Sequence, residues 1–426
     1  LTTPFWYNAA LALIKPLYQW RLKKRAEDLQ LYQQECLERF GPFQPVKNRN
    51  AIWFHVVSVG ETNAAQPLIE YYLKAGHPVL VTNTTKTGQA RAKQLFLKAP
   101  YESLFQAVYL PADQKKLVRR FIEKYQPKML ALVETELWPN LMIEADQANV
   151  PCLLINARLS EKSAKGYGKV PSLTQPMLKS LKQLLAQDQA TLARFIELGA
   201  NPHTSQVVGS IKFDIHAPDS FVQQAAQLRQ DWALQERKII TIASTHAPEE
   251  QKLLAALQPI LQQQPELLCI VVPRHPERFD EVFVEAQKLN LRTQRRSLNQ
   301  TIQPETQVYL ADSMGELWLW LAMSQACFVG GSLNEPGGGH NILEPIALHV
   351  PTVLGQHYFN FQTIVDEFVA ADAVVVVQDF EQAASALVDI IQNTAKAQAL
   401  NDAAQLIMQK NTGSLQKHIQ VIDQYL

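Results

Sequence analysis

The chain alternates between short, continuous apolar runs and longer stretches in which apolar residues recur every three or four positions. AIWFHVVS (51–58), VLVTNT (79–84), FQAVYL (105–110), KMLALVE (128–134) and CLLIN (152–156) have the unbroken, β-branched character of strands buried on both faces. Helical patterns separate them. The alternation restarts with KIITIAS (238–244), LLCIVVP (267–273), QVYLAD (307–312), ACFVGG (326–331) and PTVLG (351–355). Strands alternating with helices at this spacing predict parallel sheets covered on both faces. The expected fold class is therefore α/β, with two doubly wound domains at 26–212 and 236–379. The stretch 213–235, which opens with the polar, proline-containing FDIHAPDS, is read as a linker, and 380–426 as a helical tail.

The N-terminus departs from this pattern. Residues 4–20, PFWYNAALALIKPLYQW, are apolar and aromatic but interrupted by Lys15 and Pro16, and Arg21, Lys23, Lys24 and Arg25 follow. A spanning helix needs about 20 largely uncharged residues, so the run is marginal as a span. A signal peptide carries its charge before the apolar run, not after it. Residues 1–25 are read as an interfacial or re-entrant membrane anchor whose basic flank faces anionic cytoplasmic lipid. An ordinary helix packed on the domain is the alternative.

Composition narrows the picture. Hydrophobic residues make up 47% of the 426, enough for sizeable cores, and 40 basic residues balance 40 acidic ones. A chain without excess positive charge is not a general nucleic-acid binder. Cys36, Cys152, Cys269 and Cys327 lack metal-ligand spacing and read as reduced thiols.

In doubly wound sheets ligands bind beyond the carboxyl ends of the strands, so the residues there are the candidates. In the first domain these are Ser58 to Thr62 and Glu134 to Glu136. Glu61 could act as a general base if partly desolvated, or could be a first-turn helix acid. Glu134 and Glu136 share a face if extended, which suits base chemistry, a metal or a structural role. The loop 156–170 carries Arg158, Lys162, Lys165 and Lys169 and suits an anionic substrate. Lys212 lies at the domain junction. In the second domain, Arg274 follows a strand and is a natural phosphate partner. GGSLNEPGGGHNILEP (330–345) holds five of the sixteen glycines in ten residues. Its N–H groups, with a helix start near Asn341, suit a phosphate, and Glu344 suits a ribose diol. The loop matches neither the dinucleotide fingerprint nor the P-loop. Ser313 and Glu316 have the spacing of a capping box. His246, His275 and His340 share no metal-ligand spacing, and no D-x-D motif occurs.

These residues resemble a known family. SVGET (58–62), ETELWPN (134–140), NARLSEKS (156–163), KFD (212–214), PRHPERF (273–279), GELWLWL (315–321) and GGSL…GGHNILEP (330–345) resemble, in this order, the Kdo transferases of lipopolysaccharide synthesis. The resemblance implies a GT-B fold, two Rossmann-like doubly wound domains facing across a cleft, with an N-terminal membrane anchor at the cytoplasmic face of the inner membrane. It implies a metal-free, inverting transfer of 3-deoxy-D-manno-oct-2-ulosonic acid (Kdo) from CMP-Kdo to a glucosamine hydroxyl of a lipid A precursor, lipid IVA, with no cofactor. Glu61 would be the base, and Glu134 and Lys212 would stabilise the transition state, with Glu136 as the substitute for Glu134. The CMP-Kdo contacts would be Pro273, Arg274, Met314, Gly315, Glu316, Gly338, Gly339, His340, Asn341, Ile342, Leu343 and Glu344. Ser58, Gly60, Arg158, Lys162 and Lys165 would meet the acceptor. A nucleotide-sugar epimerase of the same fold would leave the N-terminal segment unexplained. A sugar-phosphate binding protein would have no need of Glu61.

Overall fold

The computed structural model describes residues 1–26 and 28–426. The chain forms two compact units, Leu1–Asp214 with Asn411–Leu426, and Ile215–Lys410. Each is Rossmann-like and doubly wound around a seven-stranded parallel sheet.

The first sheet runs, edge to edge, Phe105–Tyr109, Val79–Asn83, Ile52–His55, Met129–Val133, Cys152–Ala157, Leu181–Ala186 and Ser205–Val207. Successive residues of a strand face opposite sides, and here both sides are covered. Trp53, Leu130 and Leu154 pack with Phe121 and Leu141 on one face, while Phe54, Ala131 and Ile155 pack with Leu68 and Tyr72 on the other. The winding direction reverses between Ile52–His55 and Met129–Val133. In the second sheet the order is Thr293–Arg295, Val308–Leu310, Leu267–Pro273, Lys238–Thr245, Ala326–Val329, Thr352–Gly355 and Val375–Val377. Its reversal lies between Lys238–Thr245 and Ala326–Val329.

The two segments expected to lie outside the domains are built into them. The stretch 213–235 contains the helix Asp219–Asp231, and its Ala225 packs against Ile239, Leu268 and Trp320 of the second unit. Beyond residue 380, the helix Phe380–Gln392 also packs on the second sheet through Leu387 and Ile390. The helix Ser414–Ile422 instead completes the first unit, where Ile419 and Ile422 join the core beside Phe54 and Tyr72. Two polar clamps hold it there. Asp214 accepts hydrogen bonds from the backbone N–H of Gly413 at 2.8 Å and of Leu415. His418 accepts at Nε2 from the Asn156 N–H at 3.0 Å and donates from Nδ1 to the Ser414 carbonyl at 2.7 Å.

The N-terminal segment is one helix, Phe5–Arg25, which continues through Pro16. Its Tyr7 hydroxyl donates to Asp113 at 2.7 Å, and Asp113 also accepts from the backbone N–H of Asn140 and Leu141. Asp113 thereby caps the helix Pro139–Gln147, whose own N-cap residue, Trp138, makes no side-chain cap. Among the described residues no helix is long and apolar enough to cross a membrane.

Burial holds His418 neutral, with its pKa near 4 instead of 6.5. A histidine with a depressed folded-state pKa contributes no pH dependence above about 6.5, and its contribution is lost as pH falls toward 4. Asp113, pushed up to about 7 by burial, acts in the opposite sense. The comparison of wild type with His418→Gln therefore isolates the histidine. The stability advantage of the wild type in denaturant titrations should be constant above pH 6.5 and shrink between 6.5 and 4. An advantage that does not vary with pH would mean the ring is not held neutral.

Candidate active site

At the switch point of the first sheet the chain leaves Ile52–His55 and turns directly into the helix Val59–Lys74. The helix starts this close to the strand because residues 58–61 form a reciprocal cap. The Glu61 N–H donates to Ser58 Oγ at 3.4 Å, the Ser58 hydroxyl donates to Glu61 Oε1 at 3.2 Å, and the Val57 N–H donates to Glu61 Oε2 at 2.6 Å. The next strand tip fixes the turn from below. Asn83 donates to the Val56 carbonyl and Thr85 to the Val57 carbonyl, at 2.9 and 2.7 Å. Ser58 and Gly60 thus flank a half-buried carboxylate. Burial pushes Glu61 up to about 7; the Val57 and Ser58 bonds oppose this, and the charges of Glu136 and Glu134 add to it.

Across the reversal, Met129–Val133 ends at Glu134, which sits in the left-handed region at φ 63°, a strained conformation for a residue with a side chain. Its Oε1 accepts from Lys212 Nζ at 2.8 Å. Lys212 arrives on the short turn Ile211–Phe213. The Ile211 N–H donates to Asn156 Oδ1 at 3.1 Å, and Asn156 is the residue held by His418. Glu136 accepts from the Trp138 indole N–H at 3.1 Å, and burial raises its pKa. The fold therefore gathers Glu61, Glu134, Glu136 and Lys212 at one sheet edge. The Arg158 N–H donates to the Glu134 carbonyl at 3.4 Å, which places its backbone beside this group. Lys162 and Lys165 lie on the helix Glu161–Gly168. With Glu161, Gly166 and Lys169 they line an open hollow of about 680 Å³.

The second switch point differs from expectation. The fully buried Glu249 carboxylate accepts four backbone N–H groups, from His246 at 2.9 Å, Gly331 at 2.7 Å, Ser332 at 3.0 Å and Leu333 at 2.9 Å. The Gly339 N–H donates to the Gly331 carbonyl, and the Gly338 N–H to the His357 carbonyl. Much of the donor set that the glycine-rich loop was expected to offer a phosphate is thus engaged within the protein. Its glycines answer to close packing: a Cβ on Gly330 would lie 2.6 Å from the Thr245 Cα, and one on Gly338 would lie 2.2 Å from the Asn360 side chain. In the sequence, Glu249 carries no signal beyond that of a first-turn helix acid.

The capping box expected at 313–316 is a different arrangement. The helix begins only at Leu317. The Ser313 hydroxyl donates to the Glu316 carboxylate, which Arg296 grips from Nη2 at 2.8 Å and Nε at 3.0 Å. Arg296 holds the Glu316 pKa down. Met314 is exposed, and Gly315 takes φ 83°. Pro273 ends its strand, and Arg274 follows with an exposed side chain. Asn341 Oδ1 accepts from the Leu343 N–H at 3.1 Å; Ile342 and Leu343 are core residues. Burial pushes Glu344 up to about 7, against the nearby Arg274 charge.

The fold also joins histidines that have no common spacing. His246 and His340 meet Nε2 to Nε2 at 2.7 Å with ring planes 10° apart, and His275 lies edge-on to His246 at 4.8 Å between ring centres. Among the described residues no group of three His, Cys, Asp or Glu side chains is arranged to hold a metal ion.

Glu249→Gln would turn an amide toward backbone donors and leave buried N–H groups unpaired. It should lower stability by about 2–4 kcal/mol, measured by chemical denaturation. A cost below about 1 kcal/mol would mean that the loop does not depend on this carboxylate.

Comparison with known proteins identifies the family. Residues 34–215 match the family model for 3-deoxy-D-manno-octulosonic-acid transferase (kdotransferase). The chain is 35% identical to the 3-deoxy-D-manno-octulosonic acid transferase of Haemophilus influenzae, over 99% of this chain and 98% of that protein. It is 34% identical to the Bordetella pertussis transferase, over 99% of each. Among solved structures, the C-terminal CMP-Kdo binding domain of WaaA from Acinetobacter baumannii is 59% identical. That match covers 45% of this chain and all of that one, with a TM-score of 0.45. The chain belongs to the 3-deoxy-D-manno-octulosonic acid (Kdo) transferase family, glycosyltransferases acting on Kdo.

Proposed function

We propose that the enzyme moves Kdo from CMP-Kdo to a glucosamine hydroxyl of a membrane-embedded lipid A precursor, lipid IVA, with inversion and without a metal. The observation that carries this reading is Glu61, a half-buried carboxylate at the first switch point whose pKa of about 7 suits a general base at neutral pH. In this mechanism Glu61 takes the proton of the acceptor hydroxyl as its oxygen attacks C2 of Kdo. The C2–O bond to the cytidylate phosphate breaks, and its electron pair leaves with CMP. The Glu134–Lys212 pair supplies fixed charge beside the reacting centre, where preorganised charge is worth most.

On the donor side, Arg274 meets the CMP phosphate, whose charge grows as the bond breaks. Pro273, Met314 to Glu316, Gly338, Gly339 and Asn341 to Glu344 shape the nucleotide pocket, with Glu344 on the ribose. Because Glu249 occupies the N–H groups of residues 331–333, the loop acts here mainly by shape. Ser58 and Gly60 border the acceptor hydroxyl, and Arg158, Lys162 and Lys165 meet the acceptor's phosphate.

The N-terminal helix fits a monotopic anchor at the cytoplasmic face of the inner membrane. Trp6, Leu13, Leu17 and Trp20 are exposed at helical spacing, and Lys23, Lys24 and Arg25 close the helix. An enzyme held at the membrane need not extract its lipid acceptor.

Incubation with CMP-Kdo and lipid IVA, with products resolved by mass, tests donor and acceptor together. Glu61→Gln should cut turnover by roughly 10²–10⁴-fold while CMP inhibition persists. Wild-type activity should rise with pH through about 7 and survive EDTA. Near-normal turnover of the variant would discard the base assignment. Leu13→Ser, Leu17→Ser and Trp20→Ser together leave the Tyr7–Asp113 bond intact. They should reduce flotation with anionic vesicles, and unchanged flotation would discard the anchor.

A further inference from the structure

The donor in the proposed reaction carries two anionic groups on one carbon. C2 of Kdo bears both the phosphate ester and the sugar's own C1 carboxylate. One arginine fork, Arg274, serves the phosphate in that reading, so the carboxylate needs a second partner. Ligands of doubly wound sheets settle at the strand-order reversal, here beyond Lys238–Thr245 and Ala326–Val329. Backbone donors are scarce there, since the N–H groups of Gly331, Ser332 and Leu333 belong to Glu249.

What the reversal does present is the histidine pair. His246 directly follows the Lys238–Thr245 strand. His340 comes from the glycine-rich loop after Ala326–Val329. Their Nε2 atoms lie 2.7 Å apart with nearly parallel rings. One Nε2–H must donate to the other Nε2, so each ring fixes the partner's orientation and leaves an Nδ1 position for a further proton or ligand. Both rings are half-buried.

We propose that the His246–His340 pair is the receptor for the carboxylate of the 2-ulosonate sugar in the donor. The assignment rests on CMP-Kdo being the donor. It distinguishes the sugar contact from the nucleotide contacts.

The surroundings support a pair that is neutral when empty and gains charge from its ligand. Burial lowers both pKa values, His340 to about 4, and Arg274 and His275 lower them further. Glu250 and Arg278 also face His246 with opposite effects, but they are tied to each other at 2.7 Å. An anion placed against the pair offsets the cationic neighbours and favours uptake of one proton, giving a charge-assisted hydrogen bond to the carboxylate.

The test separates sugar from nucleotide. His246→Gln and His340→Gln are assayed for the KM of CMP-Kdo and for inhibition by CMP, which lacks the carboxylate. The expected result is a KM raised about ten- to a hundredfold with a CMP inhibition constant within about threefold of wild type. The preserved CMP constant also reports that the second domain is folded. A parallel rise of both constants would overturn the proposal, because the pair would then serve the nucleotide or the fold. An unchanged KM would overturn it as well. Failure of the wild type to use CMP-Kdo would instead overturn the donor reading, and this assignment with it.

Discussion

A parallel sheet wound outward in both directions from its first strand leaves one place where neighbouring strand ends are not bridged by the same crossover. In this protein that place holds buried charged and titratable groups. In the first unit these are Glu61 beside Glu134 and Lys212; in the second they are Glu249, the histidine pair and Glu344 near Arg274. Charged groups tolerate such positions only when partners replace water. The number of partners decides whether a group is held for structure or left able to react.

Glu61 and Glu249 make the contrast plain. Each follows the first strand of its domain, and each accepts the backbone N–H that lies three or four residues before it. Glu61 accepts that bond and one hydroxyl, stays half-buried, and keeps lone pairs available for a proton. Glu249 accepts four N–H groups and is sealed from solvent. The same local turn yields a half-buried carboxylate with few partners in one domain and a fastening for the glycine-rich loop in the other.

Local pattern and long-range contact differ in how far they show in a sequence. Strands buried on both faces, such as Ile52–His55 and Leu267–Pro273, are legible because a short, unbroken apolar run between helical segments fits little else. Leu181–Ala186 is not legible as a strand: LKQLLA is made of helix formers and follows the helix Pro171–Ser180 with no turn residue between. Ser205–Val207 and Thr293–Arg295 are short, polar edge strands without a periodic pattern. Val375–Val377 is not among the strands read from the sequence, although its β-branched run carries the signal of one. At the site, Glu61, Glu134 and Lys212 stand out by position. The pairing of Glu134 with Lys212, the His246–His340 contact and the bonds from Glu249 to the glycine-rich loop join residues 78 to 94 apart. Such contacts are products of topology and leave no periodic trace.

The helix Ser414–Ile422 carries one more consequence, for biosynthesis. A ribosome releases the residues around Glu61 and Glu134 early, yet the His418 ring that supports Asn156, and through it the turn bearing Lys212, emerges only after the whole of Ile215–Lys410. The second domain, being uninterrupted in sequence, can finish folding on the nascent chain while the first still waits for its last helix. Glu134 and Lys212 therefore reach their final arrangement only after the second domain has been made.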